Sequence, residues 1–283
     1  MASTTHAPSR TVSGRSRAIT WGIRILVVGY LFMLVIWPTV YLFKDTFAHG
    51  FSSIQQALAD PDVVHALWLS VEAAVIAVAI NLVFGLTISI LLVRYDFPGK
   101  RLLSWLIDLP LAASPVVVGL ALMLVYSPVY GWFGPTLRSW GIEVVFAFPG
   151  IVMATCFVAL PLVIREVVPV LEELGDDQEQ AARSLGANAW QSFWRITLPG
   201  IRWAVAYGVV LSLARSLGEF GAVKVVSGHV IGHTATATTS VESAYQNNNL
   251  DQAYAIAFML VFAAIACLIV VALLRAKDAQ EKR

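Results

Sequence analysis

Six runs of this chain are each long and apolar enough to cross a bilayer: roughly residues 25–43, 67–93, 102–126, 146–164, 203–226 and 254–274. Crossing the hydrocarbon takes about 20 such residues, and a backbone placed there must satisfy its own hydrogen bonds, which favours helices. The sequence therefore reads as an all-α integral membrane protein with six transmembrane helices, the fifth being the least hydrophobic. Hydrophobic residues make up 58% of the chain and charged residues 13%, where soluble domains carry about 25% charge. A net charge of +1 gives no reason to expect nucleic acid as a partner; membrane lipid is the expected surrounding.

The basic residues set a direction. Fifteen Lys and Arg fall on one side of this layout: in the N-terminal segment, at Arg94, Lys100 and Arg101, between the fourth and fifth spans, and after the sixth. The opposite loops hold only Lys44 and Arg138. Basic loops are retained in the cytoplasm, so both termini are expected there. The first apolar run is longer than that of a signal peptide and no small-x-small cleavage site follows it, so it reads as an uncleaved helix. The resulting division is a cytoplasmic tail over 1–24 with residues 1–17 unstructured, a first helix and external segment over 25–64, a five-helix core over 65–275, and a cytoplasmic tail over 276–283. Segment 126–140 mixes Tyr and Trp with Gly and Pro, as at a membrane interface.

Between the fourth and fifth runs lies a polar island, Gln178-Glu-Gln-Ala-Ala-Arg-Ser-Leu-Gly186 continuing to Ile196-Thr-Leu198-Pro199. Asp176 and Asp177 are placed to cap a helix start, Gly186 to break it, and Pro199 to mark entry into the fifth span. The expected form is helix–turn–helix with its bend near Gly186. Small residues at Ala181, Ala182 and Ala187 permit close approach of a partner, and Leu185 and Trp190 supply apolar anchors. An amphipathic interfacial helix is the plainer alternative. The spacing Ala181-Ala182, Gly186, Ile196, Leu198-Pro199 resembles the cytoplasmic coupling loop of ABC importer permeases, at about 176–200. Gln180 stands where that pattern has Glu, and the adjacent Glu179 is a candidate substitute. The resemblance implies a type I ABC importer permease fold with a coupling helix, and assigns Gln180, Ala181, Ala182, Leu185, Gly186, Ile196, Leu198 and Pro199 to contact with a separate ATPase.

The fifth span holds Arg215, Glu219 and Lys224. Ionisable residues inside a span face a cavity or a partner. Two readings stand: Arg215 and Lys224 attract an anion in transit, or Arg215 pairs with Glu219 one turn away and fixes packing. On a continuous helix Arg215 and Lys224 point to opposite faces, so one shared path requires a break at Gly218 or Gly221. Pro110, Pro115 and Pro161 are expected to kink or loosen the third and fourth spans, Asn81 to link helices, and Asp108 to bond locally. Cys156 and Cys267 read as small core hydrophobes, and His229 and His233 as a solvated pair, since Gly228 and Gly232 argue against a helical metal site. No phosphate-binding glycine loop and no metal cluster is present in the sequence, so no cofactor and no catalytic role are expected.

Residues 214–229, ARSLGEFGAVKVVSGH, resemble the matching stretch of sulfate and molybdate importer permeases. With Val241-Glu-Ser-Ala-Tyr245 they are most similar to the W-type sulfate/thiosulfate branch. That resemblance implies a heterodimer with a T-type permease, two copies of a cytoplasmic ABC ATPase, an extracytoplasmic sulfate-binding protein, and residence in a bacterial cytoplasmic membrane. A molybdate or tungstate permease is the nearest alternative, and a secondary anion transporter the more distant one. The absence of an evident internal repeat and the island at 178–199 weigh against the latter.

Overall fold

The structure, a computed structural model, describes residues 14–48 and 50–281, with side chains over 19–48 and 50–277. Among the described residues every regular element is helical. α1 (Gly14–Leu31) passes through a π-helical turn (Phe32–Ile36) into α2 (Trp37–Thr46). α3 (Ser52–Ala59) leads to α4 (Pro61–Arg94), started by Asp60, whose carboxylate accepts from the Asp62 N–H at 3.0 Å. α5 (Lys100–Ala112), α6 (Pro115–Tyr126) and α7 (Gly134–Ser139) precede the central α8 (Phe148–Leu174). α9 (Asp177–Ser184) and α10 (Ala189–Ser192) are joined by a second π-turn (Phe193–Thr197) to α11 (Leu198–Leu217). α12 (Gly221–Ser227), α13 (Ala237–Gln246) and α14 (Leu250–Glu281) complete the chain.

Among the described residues, five helical stretches are long and apolar enough to cross a membrane: Ile19–Thr46, Pro61–Arg94, Phe148–Leu174, Ala189–Leu217 and Leu250–Lys277. They become six if α5 and α6, a pair bent by 113°, count as one span. The expected third span is thus broken, which is more than the kink its prolines suggested. Pro115 has no N–H to donate and disfavours helical torsions at the residue before it. Ala113 and Ser114 are accordingly extended, with ψ of 141° and 132°. The fifth span also departs from expectation: its helix stops at Leu217 and resumes only at Gly221.

The unstructured N-terminal tail was expected over 1–17; residues 1–13 lie outside the described residues, and 14–17 already belong to α1. At the other end α14 continues through the expected tail to Glu281, with 282–283 outside the description.

α8 is the axis of the bundle, packed against α4, α11, α5 and α12. At Val163 both α4 and α11 press close to it. A β-carbon on Gly208 of α11 would lie 3.0 Å from the Val163 Cα, and one on Gly85 of α4 would lie 2.9 Å from its side chain. Small residues let membrane helices approach closely where no hydrophobic effect drives them together. Val163, Val167, Leu171, Ile201 and Ala204 form the core at this level. A second core, with Leu69, Ile151, Val158 and Val223, sits nearer α12. Asn81 of α4 donates to the Cys156 carbonyl of α8 at 3.1 Å, so it does link helices. Asp108 bonds across helices instead of locally, to Arg165 of α8 at 2.9 Å.

Candidate coupling surface and intramembrane ion pairs

The loop after α8 folds as a helix–turn–helix, bent at Gly186. This glycine has φ +90°, and the Gly186 and Ala187 N–H groups turn back to the Arg183 and Ala182 carbonyls at 2.9 and 3.0 Å. That pairing closes the last turn of α9 and requires a residue comfortable at positive φ. Asn188 then starts α10 with a reciprocal cap: its side chain accepts from the Gln191 N–H at 2.8 Å, and its own N–H donates to the Gln191 side chain at 3.0 Å. No cap was expected here, although Asn-x-x-Gln carries its signature. Asp176 does not cap α9 through its carboxylate as expected; that group accepts from the Gln180 amide at 2.7 Å.

The turn sorts the predicted residues into two sets. Leu185 is 90% and Trp190 69% exposed, and Gln180 and Ala181 lie on the outside with them. Trp190 and Trp194 meet edge to face at 5.4 Å, forming an aromatic patch. Ala182 and Ile196 are half-buried, and Pro199 is exposed. Leu198 faces inward, against the core around Val163 and Ile201. Gln180 and Glu179 are not interchangeable: Gln180 is outside, whereas Glu179 is buried and bound to this chain's own groups.

Those groups centre on Arg94, the last residue of α4, which the sequence offered only as a flanking charge. Its guanidinium reaches both Glu179 oxygens at 3.2–3.3 Å, the Leu171 carbonyl at 3.2 Å and the Gly175 carbonyl at 2.7 Å. Glu179 also accepts from the Thr197 hydroxyl at 2.8 Å.

Near the other end of α11, Arg215 pairs with Glu219 at 2.7 Å. Glu219 is buried; its carboxylate accepts from the Ala222 N–H at 3.0 Å and its carbonyl from the Thr238 hydroxyl at 2.8 Å. Lys224 of α12 pairs with Glu242 of α13, which also accepts from the Gln246 amide at 3.0 Å. The break between Leu217 and Gly221 removes the helical-wheel objection to a shared path, yet each cation already has a carboxylate. Beside Glu242 opens a cavity of about 540 Å³, lined largely by apolar groups such as Leu42, Phe220, Val241, Tyr254 and Leu260. His229 lies 3.9 Å from Glu242. Among the described residues no three His, Cys, Asp or Glu gather as a metal site.

Residues 81–283 match the family described as binding-protein-dependent transport system inner membrane component. The chain belongs to this family of ABC transporter permeases. Like its relatives, this permease is a non-catalytic, multi-pass membrane component. It is 44% identical to the sulfate transport system permease protein CysW of Escherichia coli strain K12, over 95% of this chain and 93% of that one. It is 49% identical to sulfate permease 2, chloroplastic, of Chlamydomonas reinhardtii, over 84% of this chain; the permease spans only 65% of that algal protein. In fold it is similar to a crystal structure of a bacterial ABC transporter involved in the import of the acidic polysaccharide alginate. The TM-score is 0.76 at 16% identity, covering 95% of this chain and 98% of that one. The permease thus has the all-helical type I importer fold.

Proposed function

We propose that this permease carries sulfate, and with it thiosulfate, into the cytoplasm as one half of an ATP-driven importer. The observation that carries the reading is the 44% identity to a bacterial sulfate permease over nearly the whole of both chains. Its partners are a T-type permease, two copies of a cytoplasmic ABC ATPase and an extracytoplasmic sulfate-binding protein. The chain lies in a bacterial cytoplasmic membrane with both termini inside, a reading supported by the distribution of Lys and Arg.

The ATPase docks on the face bearing Gln180, Ala181, Leu185, Gly186 and Trp190. Two large apolar side chains held out by a capped turn suit a groove on a soluble partner. Ile196, Leu198 and Pro199 form the frame of that loop, joining it to α11. Closure of the ATPase pair then tilts the bundle through α9 and α10. Arg215, Glu219 and Lys224 act as ion pairs that hold α11, α12 and α13 together beside the path.

The test is uptake of labelled sulfate by proteoliposomes containing this chain, the T-type permease, the ATPase and the binding protein. Uptake that needs ATP and is blocked by unlabelled sulfate but not by molybdate is expected. Preferential block by molybdate would move the permease to that substrate, and uptake without the ATPase would overturn the importer reading.

A further inference from the structure

Four segments of the chain converge on one charged node. Arg94 ends α4, Leu171 and Gly175 end α8, Glu179 lies in the first turns of α9, and Thr197 precedes α11. The side chains of Arg94 and Glu179 are 10% and 8% exposed, so the pair is withdrawn from water and from salt. The last carbonyls of a helix lack partners within it. Here the Gly175 N–H turns to the Glu172 carbonyl at 3.4 Å, and Arg94 takes up the Leu171 carbonyl it bypasses. The same guanidinium lies at the negative end of the α8 dipole, where a cation is favoured. Its planar fork reaches two carbonyls and a carboxylate at once, which a lysine ammonium does not match.

From this geometry we infer that Arg94, Glu179 and Thr197 are positioning residues that lock the coupling loop to α4, α8 and α11, making it a lever. Both ends of the loop are fastened, Gly175 on one side and Thr197 on the other, and both fastenings run through the same ion pair. A push on the exposed face of α9 and α10 then moves the ends of three spanning helices together. Without the pair, α9 would hang from two short connections and absorb the stroke. This role deepens the importer reading and rests on it.

The experiment uses the whole assembly in proteoliposomes and measures sulfate taken up per ATP hydrolysed. Glu179→Gln keeps the shape of the side chain and removes its charge; Thr197→Val keeps the shape and removes the 2.8 Å hydrogen bond. In Glu179→Gln, ATP hydrolysis is expected to persist while uptake per ATP falls several-fold. Thr197→Val should fall in the same direction by less. A wild-type ratio in Glu179→Gln would overturn the lever. Should Glu179→Gln fail to assemble, Thr197→Val decides, and its wild-type ratio would likewise overturn it.

A second readout is independent of the transported ion. Tyr245 of α13 is exposed at the cavity beside Glu242; in an assembly with Tyr245→Cys and no other cysteine in this chain, ATP should change the rate of thiol labelling, and Glu179→Gln should abolish that change. Hydrolysis without sulfate uptake in the wild-type assembly would sink the substrate assignment alone. A labelling change that survives Glu179→Gln would sink the lever alone.

Discussion

At the scale of single residues, space and torsion decide which substitutions matter. Gly186 sits at φ +90°, with nothing within 4 Å of where a β-carbon would lie. The obstacle is therefore torsional, costing about 1–2 kcal/mol for an ordinary side chain. Gly186→Val should abolish most ATP-driven uptake while leaving membrane insertion intact, and Gly186→Asn should retain more, since Asn tolerates that region. Normal transport by Gly186→Val would defeat the coupling assignment. Gly208 and Gly85 offer the opposite case, crowding without torsion. At Gly208 the new methyl meets the Val163 Cα at 3.0 Å; at Gly85 it meets the Val163 Cγ1 at 2.9 Å and Cβ at 3.0 Å, on a β-branched side chain that cannot swing aside. Overpacking costs about 1–3 kcal/mol, so Gly208→Ala and Gly85→Ala should each lower the thermal stability of the detergent-solubilised assembly. Unchanged stability in either would contradict the packing described around α8. Much of this scale was hidden in the sequence. Arg94 was legible only as a flanking charge, because its partners lie 77–85 residues further along the chain. The Asn188 cap, by contrast, is legible in the Asn-x-x-Gln spacing.

At the scale of elements, hydropathy located all six apolar windows but not their continuity. A sum over 20 residues is blind to direction, so the 113° turn between α5 and α6 and the stop after Leu217 left no mark in it. The local cues were Ser114-Pro115 and the glycines at 218 and 221, which punctuate a helix without saying whether it bends or breaks. The break also changes what Lys224 can be asked to do. If its partner Glu242 serves to clasp α12 to α13, Lys224→Met and Glu242→Gln should impair uptake alike, and the double variant should be no worse than either. If Lys224 instead waits for an anion, Glu242→Gln should free it and increase sulfate capture. Uptake kinetics of the three variants separate the outcomes. Asn188→Ala should loosen α10 by about 1 kcal/mol, read as faster hydrogen exchange over 189–192. Unchanged exchange there would show that packing of Trp190 and Trp194, and not the cap, holds the turn.

At the scale of the whole molecule, the orientation proposed from charge can be checked by chemistry at the two ends. With Cys156 and Cys267 replaced, Leu185→Cys should react with a membrane-impermeant maleimide only in inside-out vesicles, and binding of the ATPase should protect it. Trp132→Cys, on the exposed segment between α6 and α7, should react only from the other side. Labelling of Leu185→Cys from outside would reverse the topology and with it the site of the ATPase. The two helix breaks also meet: a β-carbon on Gly221 would lie 2.9 Å from Pro115. Backbone that leaves helical geometry within an apolar window exposes amide dipoles, which persist only where protein or water answers them. The Glu219 carboxylate and the Thr238 hydroxyl answer two of them. A bilayer is an electrical insulator because nothing polar threads it, and here two interrupted helices bring polar backbone together within apolar windows. A cell storing energy as a proton gradient therefore has reason to keep this seam tightly closed between strokes, so that one oxyanion enters without short-circuiting the membrane.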